Sequence, residues 1–288
     1  MKVIKNRKIF AIISSAIIIL GLVMLAVNGL NYGIEFTGGT LIQVDMGEFI
    51  EVDEIKTIID EYDTNASVVH AGDGQEEIMI KSTEDFPNST VAEIQDQFVE
   101  KYDLDTKNFQ SEKVGPTMGD EIKNKALLST LVATALMLLY ISWRFQFKFG
   151  LAAIFALVHD ILIMISVYTI FNIPVNNAFI AAILAVVGYS INDTIVIFDR
   201  IREETKLYPR ESMENIIDNS IKKSLVRTVN TSITTFIAVL ILYLLGVEDI
   251  RILALPLMVG VLAGTYSSLF VASPLLYEIT KYKTKTAK

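Results

Sequence analysis

An aspartate lies inside an apolar run in the C-terminal half of the chain. Asp193 falls within residues 178–198, and about 20 mostly apolar residues are enough to cross a bilayer. A carboxylate in such a span costs at least ~2.5–3.5 kcal/mol on insertion scales, so it needs a partner or a path for water. This favours a functional site, most commonly for proton or ion movement. The alternative is a carboxylate that only holds helices together.

Polar residues recur at helical spacing around this aspartate. Ser190, Asp193 and Thr194 are spaced i, i+3, i+4 and share one helix face. Gly188 would let another helix approach closely. The next apolar segment opens with a polar stripe at i, i+3, i+4, i+7, formed by Arg227, Asn230, Thr231 and Thr234. Such a stripe lines either a helix interface or a wet cavity, and the arginine favours the cavity because it needs an anion or water.

Asp193 and Arg227 are expected at similar depths in the membrane, which predicts that their side chains meet. Asp193 lies six residues before Asp199 at the expected membrane boundary, or ~9 Å along a helix, and Arg227 starts near the same boundary. Arg227 would favour the ionised carboxyl and burial the neutral one, and a group balanced between them can load and release a proton. His159 and Asp160 lie ~15 Å deep in the third apolar segment. Asp160 either joins this pathway or pairs internally.

The composition indicates a membrane protein. The chain has 288 residues, 52% of them hydrophobic, and a mean hydropathy of +0.45, which is too apolar for an ordinary soluble domain. The absence of cysteine excludes disulfides and thiolate metal sites, and two histidines leave little scope for zinc. With no catalytic constellation in the sequence, we expect no enzyme, cofactor, metal or nucleic-acid partner.

Six apolar segments predict six membrane helices, at 9–30, 126–143, 150–170, 178–198, about 228–247, and within 252–279. The last five lie within 126–280. Basic residues gather in four segments on one side: 1–8, the second-to-third connection, the fourth-to-fifth connection and the tail 281–288. Lysine and arginine mark the cytoplasmic side, so both termini are expected inside. The amphipathic segment at about 203–226 is expected to lie on the inner membrane surface.

Residues 31–125 are expected to form an extracytoplasmic domain. They carry 22 acidic and seven basic residues. Their pattern predicts strands at 41–44, 66–70, 77–81 and 108–114, and helices at 52–62 and 89–102. The order β-α-β-β-α-β is the split βαβ or ferredoxin-like pattern, which by itself predicts no function. Gly38 and Gly39 before the first strand indicate a tight turn with positive φ, since they lack the spacing of a phosphate loop.

Motifs along the whole chain resemble the SecF family of bacterial protein-export membrane subunits. The most specific is GYSINDTIVIFDRIRE, from Gly188 to Glu203. The others are GIEFTGGT from Gly33, VGP from Val114, the His159-Asp160 pair, RTVNTS from Arg227, GTYSS from Gly264 and ASP from Ala272. Glu35 departs from the family, where aspartate is frequent, but it keeps the charge.

The resemblance implies half of an RND-type transporter in the cytoplasmic membrane. Such a subunit pairs with SecD beside the SecYEG translocon and acts on exported polypeptide, with YajC and YidC as further partners. It implies ion coupling by Asp193 and Arg227, driven by a proton or sodium gradient. Two alternatives stay open: a small-molecule exporter of the same superfamily, whose usual members need about twelve helices, and a passive assembly scaffold.

Overall fold

The computed structural model describes residues 2–72 and 74–286. Helix α1, Arg7–Asn28, is apolar and largely exposed, as in Ile12 and Val27. Gly29 ends it with φ at 73°, and its N–H donates to the Leu25 carbonyl. A left-handed residue of this kind suits glycine, which has no Cβ to clash. The chain then turns into a short helix, α2, Ile34–Thr37.

A small sheet domain follows. Its elements are β1 (Gly39–Asp45), α3 (Val52–Ile59), β2 (Ser67–Ala71), β3 (Glu77–Ser82), α4 (Asn88–Tyr102) and β4 (Phe109–Val114). The strand order is β2-β3-β1-β4, with every neighbouring pair antiparallel. Alternate strand residues such as Ile42 and Ile80 are buried with Ile55 of α3 and Phe98 of α4. The predicted ferredoxin-like α+β pattern is therefore confirmed, because alternation on the strands and helical spacing on α3 and α4 meet in one core.

The rest of the chain is a helical bundle. Its helices are α5 (Pro116–Arg144), α6 (Phe147–Ile170), α7 (Asn177–Leu207), α8 (Met213–Leu245), α9 (Glu248–Ser267) and α10 (Ser273–Thr286). A π-helical turn, Ser268–Ala272, joins α9 to α10. Six helical spans in the described residues are long and apolar enough to cross a membrane: α1, the later part of α5, α6, α7, α8, and α9 with α10. This confirms the predicted multi-pass architecture.

The amphipathic segment predicted at 203–226 does not form a separate helix. Residues 203–207 end α7, and residues 213–226 are the first part of α8, which runs without a break to Leu245. Its apolar stripe packs inside the protein, with Ile216, Ile217 and Ile221 buried in the bundle core. At 33 residues α8 is ~50 Å long, well beyond the ~30 Å of a hydrocarbon core. The stripe therefore extends the helix packing rather than lying on the membrane.

One end of the bundle brings the beginning and end of the chain together. We call this end the terminal side and the opposite end, which carries the strands, the sheet side. Arg7 pairs with Glu278 at 2.7 Å, and the Ile4 N–H donates to Asp218 at 3.0 Å. Beside them, buried Glu204 accepts from Lys223 at 2.7 Å. These contacts fasten α1, α8 and α10 to one another.

At the sheet side, backbone pairing ties the sheet domain to the bundle. The Gly33 N–H donates to the Val175 carbonyl at 2.8 Å, and the Val175 N–H donates to Asn31 at 2.7 Å. Val175 lies in the loop between α6 and α7. A few residues later, Gly38 and Gly39 have φ of 76° and 142°, as the predicted tight turn requires. A Cβ on Gly39 would lie 2.1 Å from the Ser82 carbonyl oxygen. The chain therefore passes from α1 to β1 through a stiff connection that contacts α6 and α7.

Candidate functional site

A network of buried polar side chains crosses the middle of the bundle. Its centre on α6 is Asp160, which is 1% exposed. One carboxylate oxygen accepts from Ser190 of α7 at 2.6 Å and from Ser267 of α9 at 2.8 Å. The other lies 3.0 Å from Nδ1 of His159. Three donors from three helices therefore converge on one carboxyl group, so its acceptor sites are satisfied without an arginine or lysine.

His159 carries the network to α1. Its Nε2 lies 3.0 Å from Ser14 Oγ, and its ring stacks on Tyr266 of α9 with 6.0 Å between the ring centroids. The Tyr266 hydroxyl donates to the Phe10 carbonyl at 2.8 Å. With a proton on Nδ1, the imidazole donates to Asp160 and accepts from Ser14, which satisfies both nitrogens. Asp160 thus has its own neighbour as a hydrogen-bond partner, and both interpretations of Asp160, pathway residue or internal pair, stay predictions.

Asp193 lies on the same face of α7 as Ser190. Its hydrogen-bond partners are weaker than those of Asp160. Asp193 is 4% exposed, and the Ser232 hydroxyl of α8 approaches its carboxylate only to 3.4 Å. That hydroxyl has one proton and also lies 2.8 Å from the Thr228 carbonyl, so the two acceptors compete. Thr265 of α9 donates to Ser232 at 2.7 Å. Asp193 is therefore buried at the contact of α7, α8 and α9 without a strong donor of its own.

The predicted meeting of Asp193 and Arg227 is not formed. Among the described residues no ion pair within 4 Å joins them, although the Arg227 charge and the Thr231 side chain still act on the carboxyl. Arg227 is exposed on α8, together with the rest of the predicted stripe, Asn230, Thr231 and Thr234. The buried polar face of α8 carries Ser224, Thr228 and Ser232 instead. The predicted stripe does share one face, but that face points out of the bundle.

The end of α9 and the start of the π-helical turn supply donors that the sequence analysis quoted only within the GTYSS motif. Ser267 reaches Asp160, whereas its neighbour Ser268 lies 2.8 Å from Thr194 and 3.3 Å from the Ser190 carbonyl. A π turn widens the helix and is frequent at functional sites. Thr194 and Ser190 thus both contact the junction of α9 and the π turn. The sequence feature that could have predicted these contacts is the run of hydroxyl residues in an apolar helix. In a membrane such hydroxyls need hydrogen-bond partners inside the protein.

The expected close approach at Gly188 is wrong. A Cβ built on Gly188 meets no atom within 4 Å. The tight contacts of α7 are with glycines of α9: a Cβ on Gly264 would lie 2.8 Å from Ser190 Cβ, and one on Gly260 would lie 2.1 Å from Val186. Gly260 and Gly264 form the small-xxx-small pattern that lets membrane helices pack closely. This contact places Ser190 against Asp160.

The network consists of groups that can hold and pass on protons. No group of three or more His, Asp or Glu side chains within residues 2–72 and 74–286 is placed to ligate a metal ion. What the site offers is two buried carboxyl groups, an imidazole and a set of hydroxyls connecting α1, α6, α7, α8 and α9. Groups of this kind inside a membrane span are typical of ion and proton pathways.

The fold and site together define a class: a multi-pass helical membrane protein with a small ferredoxin-like domain between its first two spans and ionisable residues inside the bundle. Comparison with known families makes this specific. Residues 94–282 match the family described as "Protein export membrane protein SecD/SecF, C-terminal", and residues 23–46 match the "SecD/SecF GG Motif". The chain belongs to the SecD/SecF family, as its motifs indicated.

Two curated relatives match nearly the whole chain. Protein translocase subunit SecF of Haemophilus influenzae is 34% identical over 275 residues, covering 96% of this chain and 85% of the relative. The subunit of the same name from Petrotoga mobilis is 36% identical, covering 98% of this chain and 97% of the relative. The likeness therefore includes both the sheet domain and the bundle.

Solved structures agree with the fold. The translocon-associated membrane protein SecDF from Thermus thermophilus superposes with a TM-score of 0.81 at 32% identity and covers 98% of this chain. SecDF in its super-membrane-facing form superposes with a TM-score of 0.78 at 30% identity. This chain spans only 39–40% of the length of those two chains. The two solved chains are thus more than twice as long as this one.

Proposed function

We propose that this chain couples an ion gradient, of H⁺ or Na⁺, to protein export across the cytoplasmic membrane, without itself being an enzyme. The observation that carries the proposal is Asp193, a buried carboxyl group in a membrane helix with only a long hydrogen bond. A group with no strong fixed partner can change its proton or ion occupancy at low structural cost. The relatives named as translocase subunits support export as the work that is driven.

The free energy available to such a site is sufficient. One charge moving through 100 mV supplies about 2.3 kcal/mol, which shifts a two-state equilibrium about fiftyfold. At Asp193 the change would act on α7, α8 and α9, because Ser232 and Thr265 connect those helices. Movement of α7 would reach the sheet domain through the pairing of Val175 with Asn31 and Gly33. The sheet domain would then be the moving part that handles exported polypeptide.

The exposed polar stripe of α8 supports a second membrane subunit as partner. Arg227 is exposed on a helix otherwise suited to lipid, and an arginine there needs an anion or water. A neighbouring subunit with its own membrane carboxylate would supply that anion and enclose Asp193. SecD fits this role, because the solved SecDF chains are more than twice as long as this one. SecYEG, YajC and YidC complete the proposed assembly.

The proposed orientation places the terminal side in the cytoplasm and residues 31–125 outside. Basic residues near the terminal side, such as Lys5, Lys8 and Lys281, support this through the positive-inside rule. The acidic sheet domain, with Gly39 at its base, then faces the compartment into which polypeptide emerges. Asp193, with its α8 partner Ser232, would exchange ions between the two sides.

Translocation of a reporter protein into sealed vesicles tests the proposal. Vesicles containing the translocon, SecD and either this chain or its Asp193→Asn variant are assayed with the gradient present and then collapsed. We expect only the wild type to respond to the gradient. Asp199→Asn is the matched control, since it removes an exposed carboxylate from the same helix and should respond normally. Equal gradient responses of Asp193→Asn and wild type would overturn the proposal.

A further inference from the structure

A cavity on the terminal side reaches toward the polar network from between α1, α6 and α10. Its volume is about 330 Å³, and a water occupies ~30 Å³ of liquid, so it is large enough for several waters. Arg7, Lys8 and Glu278 stand at its mouth. Its walls are mostly apolar, and farther along α1 it is lined by the exposed Ser15 and by the buried Ser14 and His159. Polar groups thus lie at both ends of an otherwise apolar passage.

His159 separates this cavity from Asp160. Its ring lines the cavity and contacts Ser14 through Nε2, while Nδ1 faces the Asp160 carboxylate on the other side of the ring. Beyond Asp160 lies Ser190, three residues before Asp193 on α7. The imidazole is therefore positioned between a cavity and a buried carboxylate, with one nitrogen toward each. This is the geometry of a proton relay, for which histidine is suited because it can accept on one nitrogen and donate from the other.

We propose that His159 relays protons between the terminal-side cavity and Asp160, so that Asp160 is a second protonation site linked to Asp193 through α7. A proton from water in the cavity adds to Nε2, directly or through the Ser14 hydroxyl. The Nδ1 proton then passes to the Asp160 carboxylate. The imidazole is left neutral with its proton on Nε2, and Asp160 becomes a neutral acid. Return of the proton by the same route restores the starting state.

Protonation of Asp160 would change the packing of three helices. The oxygen that accepts from Ser190 and Ser267 keeps both lone pairs in the neutral acid, but the two bonds lose their charge assistance, so the attachment of α7 and α9 to α6 is weakened. The ionisable groups facing the ring from the packed elements are Asp160 on α6, Tyr266 on α9, Arg7 and Lys8 on α1, and Glu278 on α10. From α7, Ser190 acts on the His159 ring indirectly, through its hydrogen bond to Asp160.

The purpose of the relay rests on the proposed ion coupling, but its chemistry can be tested without export. The chain has no cysteine, so single cysteines can be labelled without background. Ser15→Cys replaces a residue that lines the cavity, whereas Ile13→Cys replaces another exposed residue of α1 that lies outside the cavity lining. A membrane-impermeant thiosulfonate added from the terminal side should label Ser15→Cys at least about tenfold faster, because only a hydrated thiol ionises readily. Equal, negligible labelling would overturn the proposal.

Histidine NMR in lipid nanodiscs gives a second readout. The full chain has two histidines, and His70, bonded to Ile50 in the sheet domain, is removed by His70→Gln. The remaining ¹⁵N-labelled imidazole should exchange between its two neutral tautomers, because the relay moves the ring proton from Nδ1 to Nε2. Asp160→Asn removes the acceptor of that proton and should suppress the exchange. An imidazole that keeps one neutral tautomer throughout would overturn the relay, whether or not Asp193 couples export to a gradient.

Discussion

Asp160 and Asp193 are both buried carboxyl groups in neighbouring membrane helices, yet their surroundings differ sharply. Asp160 accepts hydrogen bonds from Ser190 and Ser267 and contacts His159, all within 3.0 Å. Asp193 has a long hydrogen bond from Ser232, at 3.4 Å, and is also influenced by Thr231 and Arg227. Since both lie at the contacts of several helices, burial alone does not set their roles. The number of hydrogen-bond donors and the lengths of their bonds are what distinguish the two carboxyl groups.

The difference predicts a division of labour. A change of charge at Asp160 disturbs bonds on α6, α7 and α9, so it is structurally expensive and is felt by the whole bundle. A change at Asp193 disturbs little, so ion exchange there is cheap. A carboxyl group with few bonds suits loading and release, whereas one with many bonds suits fixing and transmitting a conformation.

The largest expected effect is on stability, at Asp160. Asp160→Ala should leave the donors of Ser190 and His159 without a partner, while Ser267 keeps only the Gly264 carbonyl at 3.1 Å. We expect a loss of about 2–4 kcal/mol in the free energy of unfolding, since each orphaned buried group costs ~1–3 kcal/mol and losses in membranes fall toward the lower end. Denaturant unfolding in micelles measures it. An unfolding midpoint equal to that of wild type would remove the distinction between the two carboxylates.

A steric change at one glycine should damage only the Asp160 side. Gly264→Ala places a Cβ 2.8 Å from Ser190 Cβ and should push that hydroxyl away from Asp160, at a cost of about 1–3 kcal/mol. Gly188→Ala is the matched control on α7, because its Cβ meets open space, and it should stay within about 0.5 kcal/mol of wild type. The same unfolding assay compares them, and equal effects would contradict the proposed α7–α9 contact.

At Asp193 stability and function should separate. Asp193→Asn loses only a long, shared hydrogen bond, so we expect less than about 1 kcal/mol of change in unfolding free energy. The same variant should lose gradient-stimulated export. The unfolding free energy is measured on purified protein, and gradient-stimulated export is measured in sealed vesicles. A destabilisation as large as that of Asp160→Ala would show that Asp193 also fixes the bundle.

The smallest effect is expected at Ser232. Ser232→Ala removes the hydroxyl between Asp193 and Thr265, and membrane hydrogen bonds average ~0.6 kcal/mol in double-mutant cycles. We expect a loss of that size or less. The coupling energy between Ser232→Ala and Asp193→Asn, from a double-mutant cycle of unfolding free energies, should be near zero. A coupling above about 1.5 kcal/mol would mean that the bond is stronger than its length indicates.

The sequence predicted some elements well because their periodicity has a single physical interpretation. Alternation in β3 and helical spacing in α4 each leave one apolar face, and both faces meet in the sheet-domain core. The six spans follow from apolar length. The aspartate at 193 stood out because a charge in such a run is costly. In each case local residues were sufficient.

The arrangement of α8 could not be predicted in the same way. Spacing shows that Arg227 and Thr231 share a face, but polar residues occur on both sides of the helix, so spacing does not say which side is buried. That choice depends on α7 and α9, which bury Thr228 and Ser232. The partners of Asp160 were hidden for a related reason. Ser190 and Ser267 are distant from Asp160 in sequence, and only packing brings them to its carboxyl group.

The fastening of the chain's beginning to its end has a consequence for how the protein is made. Helix α1 leaves the ribosome first, but it packs against α6 and the π turn, and Arg7 finds Glu278 only in the last helix. Ser14 has no imidazole beside it until α6 has been made, and no tyrosine until α9 has been made. The first span therefore gains its contacts in stages. Assembly of the bundle is completed by its final helix, so a nascent chain cut short there would be left open and recognisable to membrane proteases.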